Sequence, residues 1–431
     1  METLKQIFHS KDLRKKILFT VGIIVFYRIL TQISLPGVNL AALKSIFEAN
    51  QFLSVFSLLT GGSAENFSIV LMGLSPYINA SIIIQLLTVI VPSLENLSKE
   101  GDLGRRKLNS YTRWLTLPLA LLQSYGMILL LNSQSQLPII NNISSPGVIL
   151  PIMLTVTAGT ILLMWLGELI SENGIGNGTS MIIFAGIIAS APTSLAQSLS
   201  LASRDADQLI PFLVTIITTI ALTVIAILIT EGVRKIPVTY AARGNKGQVS
   251  TLPLKVNQAG MIPIIFAVSV LAFPTLAAQL AQQSSNARLQ QLADIIITHF
   301  SATSAPYLIA YFLLIFGFTF FYVSITFKPE EIADNIQKRG GYITGIRPGK
   351  PTADFLSQIT NRLNLFGGFF LALIAMLPIL MAAIFPAYSA GAGNGATIFS
   401  GAAVIIIVGV ALDLLRQINA QLIMHDYNKL I

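Results

Sequence analysis

The side chains that could do chemistry in this sequence are few, and their spacing excludes more than it suggests. Three histidines (His9, His299, His425) are scattered, and there is no cysteine. Thiol catalysis, disulfides and thiolate metal sites therefore drop out together. GIRPGK (345–350) resembles a phosphate loop only faintly. A nucleotide-binding loop of that type needs four residues between its glycines and Ser or Thr after the lysine. Here three residues separate Gly345 from Gly349, and Pro351 follows Lys350. GIGNG (174–178) follows an apolar run and not a strand, so it lacks the context of a dinucleotide loop. Both are expected to be turns, and no HExxH or GxSxG motif is present. What remains are the uncharged Asn79, Gln85, Gln123 and Asn257, in or beside apolar runs. Their chemistry is hydrogen bonding between helices, at about 0.6 kcal/mol per bond.

The elements that must position these groups are membrane spans. Of 431 residues, 53% are hydrophobic and 11% charged, against about 25% charged in soluble domains. A bilayer core of about 30 Å needs about 20 apolar residues per helix. Ten stretches qualify: 17–35, 70–92, 114–131, 148–170, 179–200, 209–230, 258–280, 305–327, 365–385 and 396–412. Lys5, Lys11, Arg14, Lys15 and Lys16 precede the first run as in a signal peptide, but no small-residue cleavage pattern follows and Arg28 lies within it. That run is expected to be a retained span.

Lysine and arginine test the map. The N-terminal tail has five, 93–113 five, 231–257 five, 328–364 six and the C-terminal tail two, giving 23 on one side. Lys44, Arg204 and Arg288 make three on the other. By the positive-inside rule both termini and the long loops 231–257 and 328–364 are expected to be cytoplasmic. Five spans per half (1–200 and 201–431) would place the halves in opposite orientations, as inverted repeats do.

Between 70 and 412 no charged residue lies deep within a span. Intramembrane ionisable groups mark ion coupling and proton relays. Their absence weighs against the rival reading, an ion-coupled secondary solute transporter with inverted repeats. Interruptions are expected instead at Pro76, Pro118, Pro263, Pro274 and Pro378, one in each of five spans. The stretch SLLTGGSAENFSIV (57–70) is too short and too polar to cross a bilayer, yet follows the greasy FLSVF (52–56).

Five blocks then carry a resemblance: GLSPYINASIIIQLLTVIVP (73–92), KEGDLGRRKLNSYTRWLTL (99–117), MWLGELISENGIGNGTSMIIFAGI (164–187), LPLKVNQAGMIPIIFA (252–267) and FKPEEIADNIQKRGGYITGIRPGKPT (327–352). In order and over essentially the whole chain, they resemble the SecY family, central channel subunits of bacterial protein translocases. The resemblance implies an all-α polytopic protein, with ten transmembrane helices in two inverted five-helix halves around an hourglass pore. It implies no cofactor and a protein-conducting channel, not an enzyme.

On these blocks the family's pore ring falls on Leu74, Ile78, Ile183, Ile265 and Ile406. Thr179 stands where the family usually has an aliphatic residue, which implies a more polar edge to the ring. A short re-entrant plug helix would occupy about 57–68. Leu58 and Leu59 would seat it, Gly61 and Gly62 would allow close approach and hinging, and Ser63 would tolerate a wet funnel. Asn79, Gln123 and Asn257 match polar positions of a lateral gate. Arg243, Arg347 and Lys350 fall in the partner-binding loops, with GNKG (244–247) expected at a hairpin tip. The implied partners are SecE, SecG, the SecA motor ATPase, the ribosome, secretory and membrane-protein precursors, and the lipid bilayer.

Overall fold

A computed structural model describes residues 10–40, 43, 47, 57, 60–134, 139–140, 145–204, 209–240, 248–282, 286–300, 304–384 and 400–428. Helices α1 (Lys11–Gln32), α2 (Ser75–Ile90), α3 (Pro92–Lys99), α4 (Asp102–Gln134), α5 (Pro146–Asn173), α6 (Gly178–Arg204) and α7 (Leu209–Glu231) come first. Strands β1 (Val233–Tyr240) and β2 (Gln248–Lys255) follow. Then come α8 (Ile262–Gln282), α9 (Ala287–His299), α10 (Ala305–Thr326), α11 (Pro329–Lys338), β3 (Gly341–Ile343), α12 (Lys350–Ile384) and α13 (Gly401–Asn428).

A helix lies on each of the ten apolar stretches. Among the described residues seven helices are long and apolar enough to cross a membrane, namely α4, α5, α6, α7, α10, α12 and α13, or eight if the bent pair α2–α3 is one span. The bend is 101° and sits at Val91–Pro92. Val91 is extended (φ −100°, ψ 111°), the conformation to which a following proline drives a residue. The chain is thus a multi-pass helical membrane protein.

Two local expectations need correction. Pro118, Pro274 and Pro378 do lie inside helices. Pro76 and Pro263, however, are the second residues of α2 and α8, where the missing N–H costs nothing and the fixed φ favours initiation. The helical architecture also carries a small antiparallel sheet, ordered β2-β1-β3. Register runs from Val233↔Lys255 to Tyr240↔Gln248, so the hairpin flanks pair as the GNKG tip suggests. Val238 and Ile236 pack from the sheet onto Ile336 of α11 and Leu356 and Ile359 of α12.

The connections group at two ends. At the sheet end, Leu13 of α1, Ile175 of the α5–α6 turn and Leu422 of α13 share one cluster. Arg416 of α13 pairs with Glu231, the last residue of α7, at 2.6 Å. At the far end the chain after α1 forms bridges Ser34↔Ser68 and Val38↔Ile140. One core draws only on residues 35–156 and another only on 222–412. A third, between them, draws on α1, α2, α5, α6, α8 and α13.

Close backbone packing sets these positions. A Cβ at Gly159 of α5 would fall on the carbonyl oxygen of Ile69. Overpacking a fitted site costs about 1–3 kcal/mol, so Gly159→Ala is expected to lower the unfolding temperature of the purified protein in detergent. An unchanged temperature would mean that α5 has room to move.

Candidate functional site

The central core brings together the five aliphatic residues picked out as a ring. Leu74 is the N-cap of α2, and the Ile78 N–H donates to its carbonyl at 3.0 Å, one turn on. Ile183 arrives from α6, Ile265 from α8 and Ile406 from α13. Leu74, Ile183 and Ile406 are buried in the cluster, with Ile78 and Ile265 packed against it. Four helices, remote in sequence, thus deliver branched aliphatic groups to one place. The Thr179 side chain lies beside that of Tyr77, so this polar group sits between α6 and α2.

Residues 60–68 lie against this cluster on the side away from the sheet. Thr60 touches Gly73, the neighbour of Leu74. Gly61 meets Gly186, one turn along α6 from Ile183. Ser57 is helical, and the chain from Thr60 to Phe67 is a run of turns. Gly61 and Gly62 have φ of +69° and +79°, a region glycine enters without steric cost. Ser63 is fully buried, its hydroxyl donating to the Leu71 carbonyl at 3.4 Å. Leu58 and Leu59 lie outside the described residues.

What holds this segment escaped the sequence reading. The Tyr27 hydroxyl donates to the Thr60 carbonyl at 3.1 Å, and Arg28 Nη1 donates to the Gly61 carbonyl at 2.6 Å. The Asn66 amide donates to the Thr31 carbonyl at 3.3 Å. Backbone bonds Leu35 N–H to Phe67 O (3.0 Å) and Ile69 N–H to Ile33 O (3.1 Å) complete the attachment. The available signal was Arg28 itself, a charge inside a span, which by default marks a functional position.

The three gate candidates separate. Asn257 is buried, but its side chain closes a turn: Oδ1 accepts from Gly260 N–H at 2.9 Å, and Nδ2 donates to Gly260 O at 3.3 Å. Asn79 and Gln123 are buried at 4% exposure, and Asn79 Oδ1 and both Gln123 amide atoms have no partner among the described residues. Gln258, which the sequence reading passed over, joins them with both amide atoms buried and unpartnered. Helices α2 and α4 both contact α8, so these amides belong to helices that meet.

At the sheet end Arg347 and Lys350 are exposed. GIRPGK is a turn, with Gly345 and Gly349 at φ +85° and +90°, and its lysine begins α12. The Arg347 carbonyl accepts from the Thr352 hydroxyl at 2.8 Å, leaving the guanidinium outward. Arg243 and the GNKG tip lie outside the described residues.

A multi-pass helical bundle with an apolar centre, covered on one side by an irregular segment, defines the class. The chain belongs to the SecY family, whose profile matches residues 68–415. Protein translocase subunit SecY of Corynebacterium glutamicum is 40% identical over 451 aligned residues, covering 100% of both chains. The subunit of the same description from Streptomyces scabiei is 42% identical, covering 97% of each. Among solved structures, a SecY described as having a plug domain that stabilises the closed channel and maintains a membrane seal has a TM-score of 0.63 at 18% identity, covering 94% of this chain and 92% of that one. Canine Sec61 in a ribosome-channel complex of the endoplasmic reticulum has a TM-score of 0.62 at 18% identity, with the same coverage.

A buried amide without partners costs about 1–3 kcal/mol. Gln123→Leu removes two such atoms at nearly constant volume and is expected to raise the unfolding temperature. A lower temperature would show that the amide has partners in the membrane-embedded protein.

Proposed function

We propose that the chain is the pore subunit of a protein-conducting channel, which passes unfolded polypeptides across the membrane and releases apolar segments sideways into it. The observation that carries this reading is the convergence of Leu74, Ile78, Ile183, Ile265 and Ile406 under the segment 57–68. A narrow aliphatic constriction dewets and blocks ions without a charged filter. Aliphatic side chains make few directional demands, so the ring closes around any extended chain and reseals behind it. Residues 57–68 act as the plug on the far side of that ring.

Sideways release needs a seam that opens repeatedly. Asn79 and Gln123 on α2 and α4 face that task with Gln258 beside α8, their uncharged amides weakening the apolar packing without requiring a buried ion. Asn257 contributes by fixing the turn into α8. The two cores confined to 35–156 and 222–412 support halves at 1–200 and 201–431, related as inverted repeats around an hourglass pore.

With the sheet end cytoplasmic, most basic residues and both termini face the cytoplasm of a bacterial cell, and the plug faces outward. The protein then resides in the cytoplasmic membrane. The sheet and the α11–α12 turn, with Arg243, Arg347 and Lys350, dock the partner that supplies energy, the SecA ATPase or a translating ribosome. SecE and SecG complete the complex.

Single-channel conductance of the purified complex in planar bilayers tests the central claim. Wild type is expected to be silent, and deletion of Thr60–Phe67 to give a wide, flickering conductance. Silence in both, with uptake of a small solute, would return the ion-coupled transporter. For docking, Arg347→Glu is expected to abolish motor-driven translocation into vesicles while the complex still assembles; export at the wild-type rate would remove Arg347 from the interface.

A further inference from the structure

We propose that Tyr27, Arg28 and Gly186 form the seat that holds residues 57–68 closed, and so set how readily the channel opens. The inference rests on the channel reading and deepens it, since it names positioning residues that neither the ring nor the plug contains.

Three contacts make the seat. Tyr27 and Arg28 are successive residues of α1, about 100° apart around the helix, yet they donate to the successive carbonyls of Thr60 and Gly61. Both can do so only because the segment crosses the last turns of α1 at close range. Gly186 supplies the opposite wall. A Cβ built on Gly186 would lie 2.9 Å from Gly61 Cα, and one on Gly61 would lie 2.7 Å from Gly186 Cα and 2.5 Å from the Tyr27 hydroxyl. Gly61 is therefore gripped between α1 and α6, backbone against backbone.

The grip depends on position more than on composition. The acceptors are main-chain carbonyls, so the segment can vary in side chains without losing them, except at Gly61. Arg28 is half-buried on α1, and the Gly61 carbonyl gives its charge a dipole to act on while the segment is seated. Charge-assisted hydrogen bonds are roughly twice as strong as neutral ones. Displacing the segment strips the guanidinium of this acceptor, and an entering chain or water must replace it.

The lack of cysteine in the sequence gives a clean reporter. Ser63→Cys places a thiol at a fully buried position of the segment. In the assembled complex in vesicles, a membrane-impermeant maleimide added from the plug side reads how often that thiol is uncovered. Arg28→Gln and Gly186→Ala are each expected to speed labelling about tenfold or more, the equilibrium shift that losing one such contact brings. Arg28→Lys, which keeps a charged donor, is expected to restore most of the slow rate. An unchanged rate in Arg28→Gln or in Gly186→Ala overturns the assignment of that residue, and glutamine matching lysine at 28 overturns the role of the charge. The Thr60–Phe67 deletion separates the two levels. If it conducts while the substitutions leave labelling unchanged, only the seat is wrong; if it is silent, the plug reading falls with it.

Discussion

Irregular backbone at membrane depth must satisfy its polar groups from within the protein, and residues 57–75 show how that is done here. Gly62 N–H bonds to Ser57 O, Ser68 N–H to Ser63 O, Phe67 N–H to Ala64 O, and Gly73 N–H to Val70 O. Turns thus close on themselves at intervals of three to five residues. Other donors complete the set: Tyr27 adds to the Thr60 carbonyl, Arg28 meets that of Gly61 and Leu35 N–H that of Phe67, while the Ser63 hydroxyl meets the Leu71 carbonyl from within the segment. Among the described residues these hydrogen-bond partners lie at or just after the end of α1 or within the segment, and α6 holds it by packing alone, at Gly186. An element anchored on one side can swing, whereas one bonded into the bundle on all sides could not.

The same economy governs the centre. The ring residues come from α2, α6, α8 and α13, and none of them needs a directional partner. Directional bonds are placed around the ring and not in it, as with Tyr27 and Thr60. Among the described residues, buried amide atoms without partners occur at Asn79, Gln123 and Gln258, on or beside helices α2, α4 and α8 that contact one another, and also at Asn364 of α12. Hydrogen bonds there would tie these helices together more firmly than apolar packing alone.

Hydropathy made the spans legible, because bilayer thickness acts on local composition and leaves its mark within about 20 residues. The turns at 174–178 and 345–349 were legible for the same reason, since glycine spacing is a local property. The α11 helix, with Ile336 buried and Ile332 packed below the sheet, could be read from its apolar face. What could not be read are contacts with no local signature. Arg28 and Gly61 are 33 residues apart, and Gly61 and Gly186 lie on separate elements, each glycine ordinary in its own surroundings. Asn257 matches a polar gate position of the family by alignment alone, and no local signal announces that its amide bonds to Gly260, three residues away. Pro76 and Pro263 were read as interruptions because both lie within apolar runs, and only the helix boundaries reveal them as starts.

Helix α12 joins the two ends of the molecule without a break. Its 35 residues span about 50 Å, against an apolar bilayer core of about 30 Å, so it projects well beyond the membrane as a rod. Its first turn carries the GIRPGK lysine, its side packs against the sheet at Leu356 and Ile359, and its far half joins the core with α8 and α10. A load applied at the outer end of such a rod is not absorbed by a flexible loop. It arrives inside the membrane as torque on α8 and α10, which makes the sheet end and the apolar interior parts of one lever.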